Sequence, residues 1–149
     1  MTGGVSSPRS ALKQLPDLGR YVMIVAHGKG WQFEILLGYY VDLDEPSAFP
    51  RVGVEINVNP NASMRAEIVS AMRGFEKRQG KAWQTFGLAD EHDWGSMKQT
   101  MGLHEFLPEK DHVKKIREYF MRLLKDVEEF RQRYPKLPWN PQKTDQDQA

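Results

Sequence analysis

The chain of 149 residues contains no cysteine. That absence excludes a disulfide framework, a thiolate zinc site and a thiol nucleophile together. Long hydrophobic runs are lacking too. The longest apolar stretch, residues 35–41, falls far short of the roughly 18 residues that a membrane-spanning helix needs. The opening Met1-Thr2-Gly3-Gly4-Val5-Ser6-Ser7 has neither the basic nor the apolar part of a signal peptide. Excess charge of one sign is also missing, because 21 Lys and Arg face 20 Asp and Glu for a net +1. Such a balance gives no general electrostatic attraction to nucleic acid or to an anionic membrane. The expectation is a cytoplasmic protein with no membrane partner.

What is present suits one packed domain. A hydrophobic content of 40%, with 11% aromatic residues, supplies a core without metal or disulfide staples. Residues 1–18, with glycines, serines and two prolines, read as a flexible N-terminal tail. Residues 135–149 open with Pro135-Lys136-Leu137-Pro138-Trp139-Asn140-Pro141 and read as a Pro-rich, polar C-terminal tail. Between them lies a single α+β domain, 19–134.

Strands come first. Tyr21-Val22-Met23-Ile24-Val25-Ala26 is apolar and β-branched, and His27-Gly28-Lys29-Gly30 follows at once as a hairpin turn. A second strand over 31–42 alternates Phe33, Ile35, Leu37, Tyr39 and Val41. Residues 51–59 alternate cleanly, with Val52, Val54, Ile56 and Val58 on one face and Gly53, Glu55, Asn57 and Asn59 on the other.

A helix is predicted next, N-capped by Asn61 or Ser63, apolar at Met64, Ile68, Ala71, Met72 and Phe75, and closed by Gly80. Residues 81–87 suggest a fourth strand, with Trp83 opposite Phe86, and 97–106 a short fifth one after a polar loop. The last helix lies between Pro108 and Tyr134. Its apolar residues Val113, Ile116, Phe120, Leu123, Val127, Phe130 and Tyr134 repeat at alternating spacings of three and four. The fold class expected is a three- to five-stranded, mainly antiparallel sheet covered by two helices, in the order βββα-β(β)-α.

Several features bear on chemistry. The heptad-like seam of the last helix is a candidate surface for self-association. Gly28-Lys29-Gly30 lies between strands and lacks the spacing of a phosphate loop. Asp90-Glu91-His92-Asp93 matches no metal-ligand spacing, so no metal site is assigned. Arg65, Arg73, Lys77, Arg78 and Lys81 give the first helix and its exit a basic stripe, opposed only by Glu67 and Glu76. With Lys29 and Trp31 in the hairpin turn, these are the candidate nucleic-acid-binding residues.

Glu55 and Asn57 project from the polar face of the third strand, and Glu34 or Asp42 stands on or beside the second. In this segment order, with Glu55-Ile56-Asn57 on the third strand, residues 21–87 resemble the core of PD-(D/E)XK nuclease-like domains. The resemblance implies Mg²⁺ held by Glu34 or Asp42 and by Glu55, with Glu34, Glu55 and Asn57 as catalytic positions. Asn57 stands where that family has its lysine, so Lys29 or Lys81 would have to supply the cation. Two functions follow as expectations. One is a non-catalytic binding or interaction module, needing no cofactor, whose partner is a protein or a nucleic acid within a larger assembly. The alternative is a divalent-metal-dependent nuclease.

Overall fold

The structure, a computed structural model, describes residues 20–40, 50–80 and 82–140, with the backbone alone for Arg20, Tyr21, Val22, Met23 and Val25. The expected tail at 1–18, residues 141–149 of the tail expected at 135–149, the loop holding Asp42, and Lys81 therefore lie outside the described residues. Five strands form one sheet: β1 Arg20–His27, β2 Phe33–Tyr40, β3 Arg51–Val58, β4 Gln84–Phe86 and β5 Gly95–Gly102. Their spatial order is β1-β2-β3-β5-β4, and every neighbouring pair is antiparallel. Two helices complete the α+β fold, α1 Arg65–Arg78 and α2 His112–Arg133.

The strict alternation of β3 decides the layering, since a period of two sends all its valines and Ile56 to one face. Val52, Val54, Ile56 and Val58 are buried there, in one cluster with Phe33 and Ile35 of β2 and Met97 of β5. Ile68, Ala71, Met72 and Phe75 of α1 join that cluster, as do Tyr119, Leu123, Val127 and Phe130 of α2. Both helices thus cover the same face. The other face carries no helix among the described residues.

Differences from the sequence reading have physical causes. The fifth strand is eight residues long, because β3 offers it a complete ladder from Arg51↔Gly102 to Val58↔Gly95. The seam of α2 is used within the chain: Leu123, Val127 and Phe130 lie in the core, while Val113 at its start is 69% exposed. Neither Asn61 nor Ser63 caps α1. The side-chain carbonyl of Gln32, just before β2, accepts the Met64 N–H at 2.9 Å and the Ser63 hydroxyl at 3.1 Å.

The packed chain, expected to end at Tyr134, runs on to Asn140. Leu137 is buried, Gly28 bridges Trp139, and the Lys29 N–H donates to the Pro138 carbonyl at 2.7 Å. Pro135 and Pro138 disfavour helix and strand in this stretch, yet they do not forbid burial. Trp139 meets Phe33 edge-on at 4.8 Å and Phe130 at 5.9 Å, and its Nε1 donates to the Tyr134 carbonyl at 2.9 Å.

Phe130 is the hub of this packing, since its ring also meets Phe75 and Tyr134, each at 5.2 Å. Phe130→Ala should therefore cost about 3–5 kcal/mol of unfolding free energy, measured by urea denaturation. Tyr119 carries a different liability. Its ring is buried against Phe106, its hydroxyl has no hydrogen-bond partner among the described residues, and burial pushes the phenol from 10.0 to about 12. The unfolded chain then loses this proton first as pH rises. The folded state must lose stability between pH 10 and about 12, with this contribution constant below pH 10. The difference in urea midpoint between wild type and Tyr119→Phe should accordingly change only in that window. At neutral pH the substitution should be neutral or stabilising, because it removes an unpaired buried hydroxyl.

Candidate nucleic-acid interface

β2 and β5 both run antiparallel to β3, so both begin at the sheet end where β3 stops and α1 starts. The 28–32 turn, the 59–64 connector, the 87–94 loop and residues 137–140 gather at that end. Two tryptophans stand there in the open: Trp31, 47% exposed, two residues before β2, and Trp94, 45% exposed, directly before β5. Only β3 separates those two strands, so their starts lie roughly 10 Å apart.

The turn holds Trp31 in place. Gly30 and Trp31 both have positive φ, 61° and 55°, and this left-handed step lays the indole on the His27 ring at 3.9 Å and 12°. For a residue with a side chain that backbone costs about 1–2 kcal/mol. Asn140 Nδ2 lies 2.7 Å from both His27 Nδ1 and the His27 carbonyl oxygen, so the C-terminal segment braces the stack from behind. Lys29 is exposed on the same turn.

The four tryptophans divide evenly. Trp83 is fully buried, its Nε1 donating to Asp126 at 3.0 Å, and Trp139 is packed as described. Trp31 and Trp94 remain exposed, Trp31 with one face on His27.

The basic stripe also divides. Arg65, expected among the exposed cations, is only 8% exposed. Its NH1 donates to the carbonyls of Val58 and Asn59 at 3.4 and 3.5 Å, and its NH2 to that of Asp90 at 2.6 Å. The guanidinium thus ties the end of β3 to the 87–94 loop. Arg73, Lys77 and Arg78 are exposed. At 3.6 residues per turn Arg73 and Lys77 stand about 40° apart on α1, while Arg78 points about 140° away from Arg73. Of the two opposing carboxylates, Glu76 is taken up by the Thr85 N–H of β4.

Between α1 and the 87–94 loop runs a groove of about 700 Å³, lined among others by Arg65, Ser70, Arg73, Glu91 and His92. Two guanidiniums there face one carboxylate.

The acidic positions lie elsewhere, on the helix-free face. Glu34 and Asn57 are register partners on β2 and β3, and Asn57 Nδ2 donates to Glu34 Oε1 at 3.5 Å. Glu55 is half-buried on that face, flanked by Leu36 on β2 and Lys98 on β5. Glu34 and Glu55 are diagonal neighbours, a relation of roughly 7–8 Å in a sheet. Among the described residues, no three His, Asp or Glu side chains converge as a metal-holding group.

Sequence reasoning missed Lys98, whose Nζ also lies 4.6 Å over the Phe86 ring, because its place beside Glu55 depends on the β3–β5 register. It missed Gln32 because the cap reaches across 32 positions. Ser70 and His92 enter only through the groove. Gln32→Ala should lower stability by about 1 kcal/mol, the usual worth of a helix cap, read as a shift in urea midpoint without a change in slope.

Among the described residues no helix is long and apolar enough to cross a membrane. Searches of protein-family models, curated proteins and solved structures found no match to this chain.

Proposed function

We propose that this protein is a non-catalytic module that binds single-stranded nucleic acid across the sheet end. The observation that carries this reading is the pair of exposed indoles at one sheet end, Trp31 and Trp94, the latter at the end of the loop that walls a groove lined by Arg65 and Arg73. Aromatic faces accept bases of any sequence, and guanidiniums bind phosphate oxygens of the same strand. A spacing of roughly 10 Å between the strands that lead out of the two tryptophans suits two bases of one strand better than the two edges of a duplex pair. Lys29 and Lys77 add charge along the flanks.

The test is fluorescence anisotropy with labelled single- and double-stranded DNA and RNA over a range of salt. Single strands should bind more tightly than duplexes, with affinity falling steeply as salt rises. Trp31→Ala and Trp94→Ala should each weaken binding by roughly 5- to 100-fold, corresponding to about 1–3 kcal/mol per stacked base. Absence of binding at low salt, or binding indifferent to both substitutions, would overturn the reading.

A nuclease of PD-(D/E)XK type is the second reading, and one observation favours it. Glu34 and Glu55 share a face on adjacent strands, with Lys98 beside Glu55 although Asn57 stands at the motif's lysine position. It ranks second because Glu34 is already engaged by the Asn57 amide. Under this reading, Mg²⁺ or Mn²⁺ added to the same reactions produces cleavage that EDTA and Glu55→Ala each abolish.

A further inference from the structure

The groove beside α1 holds a cation, Arg65, that forms no ion pair within 4.0 Å among the described residues. Arg65 is more than nine-tenths buried, yet every partner it has among the described residues is a backbone carbonyl. A guanidinium has five N–H donors, and these three bonds engage at most three of them. At least two remain, on a side chain that forms part of the groove wall. A buried charge without a counter-ion is costly, and an anion bound in the groove would remove that cost. Arg73, two turns along α1, lines the same groove, as do the Ser70 hydroxyl and the His92 ring. Glu91 opposes them in the lining, and the Asp90 carboxylate, which accepts from the His92 N–H at 2.9 Å, stands on the same loop.

We infer that this groove is the seat for the terminal phosphate monoester of the bound strand, with Arg65 and Arg73 as its principal ligands; the inference rests on the nucleic-acid reading above. Donor count favours a monoester over a backbone diester. A monoester presents three unesterified oxygens and close to two negative charges, whereas a diester presents two oxygens and one charge. The free donors of Arg65, those of Arg73 and the Ser70 hydroxyl together match three oxygens. Volume points the same way, because about 700 Å³ is the size of a small-molecule pocket and accommodates the attached nucleotide as well. The 87–94 loop that forms one wall leads directly into Trp94, which places a stacking surface next in line for the following base.

The test compares one oligonucleotide in three forms, 5′-phosphorylated, 3′-phosphorylated and unmodified, by anisotropy on the full chain. One phosphorylated form should bind at least roughly tenfold more tightly than the unmodified strand, the effect of one charge-assisted contact. Arg73→Ala, an exposed change, should erase that preference, weakening the phosphorylated form more than the unmodified strand. Arg78→Ala, on another side of α1, should leave the preference intact. Arg65→Lys keeps the charge and loses the fork, and should also erase it; circular dichroism checks that this variant folds. Equal binding of all three forms would overturn the inference and leave the single-strand reading standing. Failure of every oligonucleotide to bind would overturn both, unless inorganic phosphate or a mononucleotide alone binds the groove, read as a rise in melting temperature. An Arg73-dependent shift with those small probes alone would uphold the phosphate seat and discard the strand.

Discussion

β3 is bonded on both edges and buried along one face, and those two conditions leave the chain few choices. Its apolar side must be covered, so both helices lie there. Its ladders to β2 and β5 fix where those strands begin. The approach to β5 is so close that a Cβ at Gly53 would come within 2.1 Å of the Gln99 carbonyl oxygen, which holds this position to glycine. Because β2 and β5 must both start where β3 stops, three connections and the C-terminal segment converge at one sheet end. The surface proposed for binding is a consequence of that pairing.

Such a surface combines a rigid base with side chains free to meet a ligand, a division common in proteins whose loops stand on a sheet. Hydrogen bonds link its parts in sequence. The Trp31 carbonyl accepts from Asn59 Nδ2 at 3.4 Å, the Asn59 carbonyl accepts from Arg65, and Arg65 in turn holds the Asp90 carbonyl. Gln32, next to Trp31, caps α1. Trp31 and Arg65 of the groove are therefore set by one continuous chain of contacts that reaches the 87–94 loop at Asp90. Arg65 contributes to it through backbone partners only, among the described residues.

How much of this was legible in the residues depended on the range of the interaction. Alternation in β3, the helical spacing of Phe75 and Phe130, and the turn chemistry of Gly30 and Gly80 are local, and each produced the element expected. The length of β5 was not legible, because Lys98, Gln99 and Thr100 are polar and become strand only when β3 pairs with them. Nor was the packing of Leu137 and Trp139, since proline density reports on backbone regularity and says nothing about burial. At the site, Trp31 and Arg73 were readable as an exposed aromatic and an exposed cation. Arg65 was misread as part of a solvated stripe because its carbonyl partners belong to residues at the end of β3 and to a distant loop.

The near-zero net charge hides the segregation that matters. Along α2 the charges pair with one another: Arg131 grips Glu128 through both carboxylate oxygens, Arg133 reaches Glu129 at 3.4 Å, and Lys115 reaches Glu118 at 3.7 Å. The first of these contacts holds the Glu128 carboxyl below its usual range, through its hydrogen bond with Arg131. α1 is different, because its Glu76 is spent on the β4 backbone and Arg65 meets only carbonyls. Among the described residues, the ion pairs within 4.0 Å all lie on α2. A screened solution reads charges over about a Debye length, roughly 8–10 Å, and not over a whole molecule. On that scale Arg65 and Arg73 face the carboxylates of Asp90 and Glu91 across the groove, so what singles out this side of α1 is guanidinium groups without an ion pair among the described residues, not an excess of positive charge.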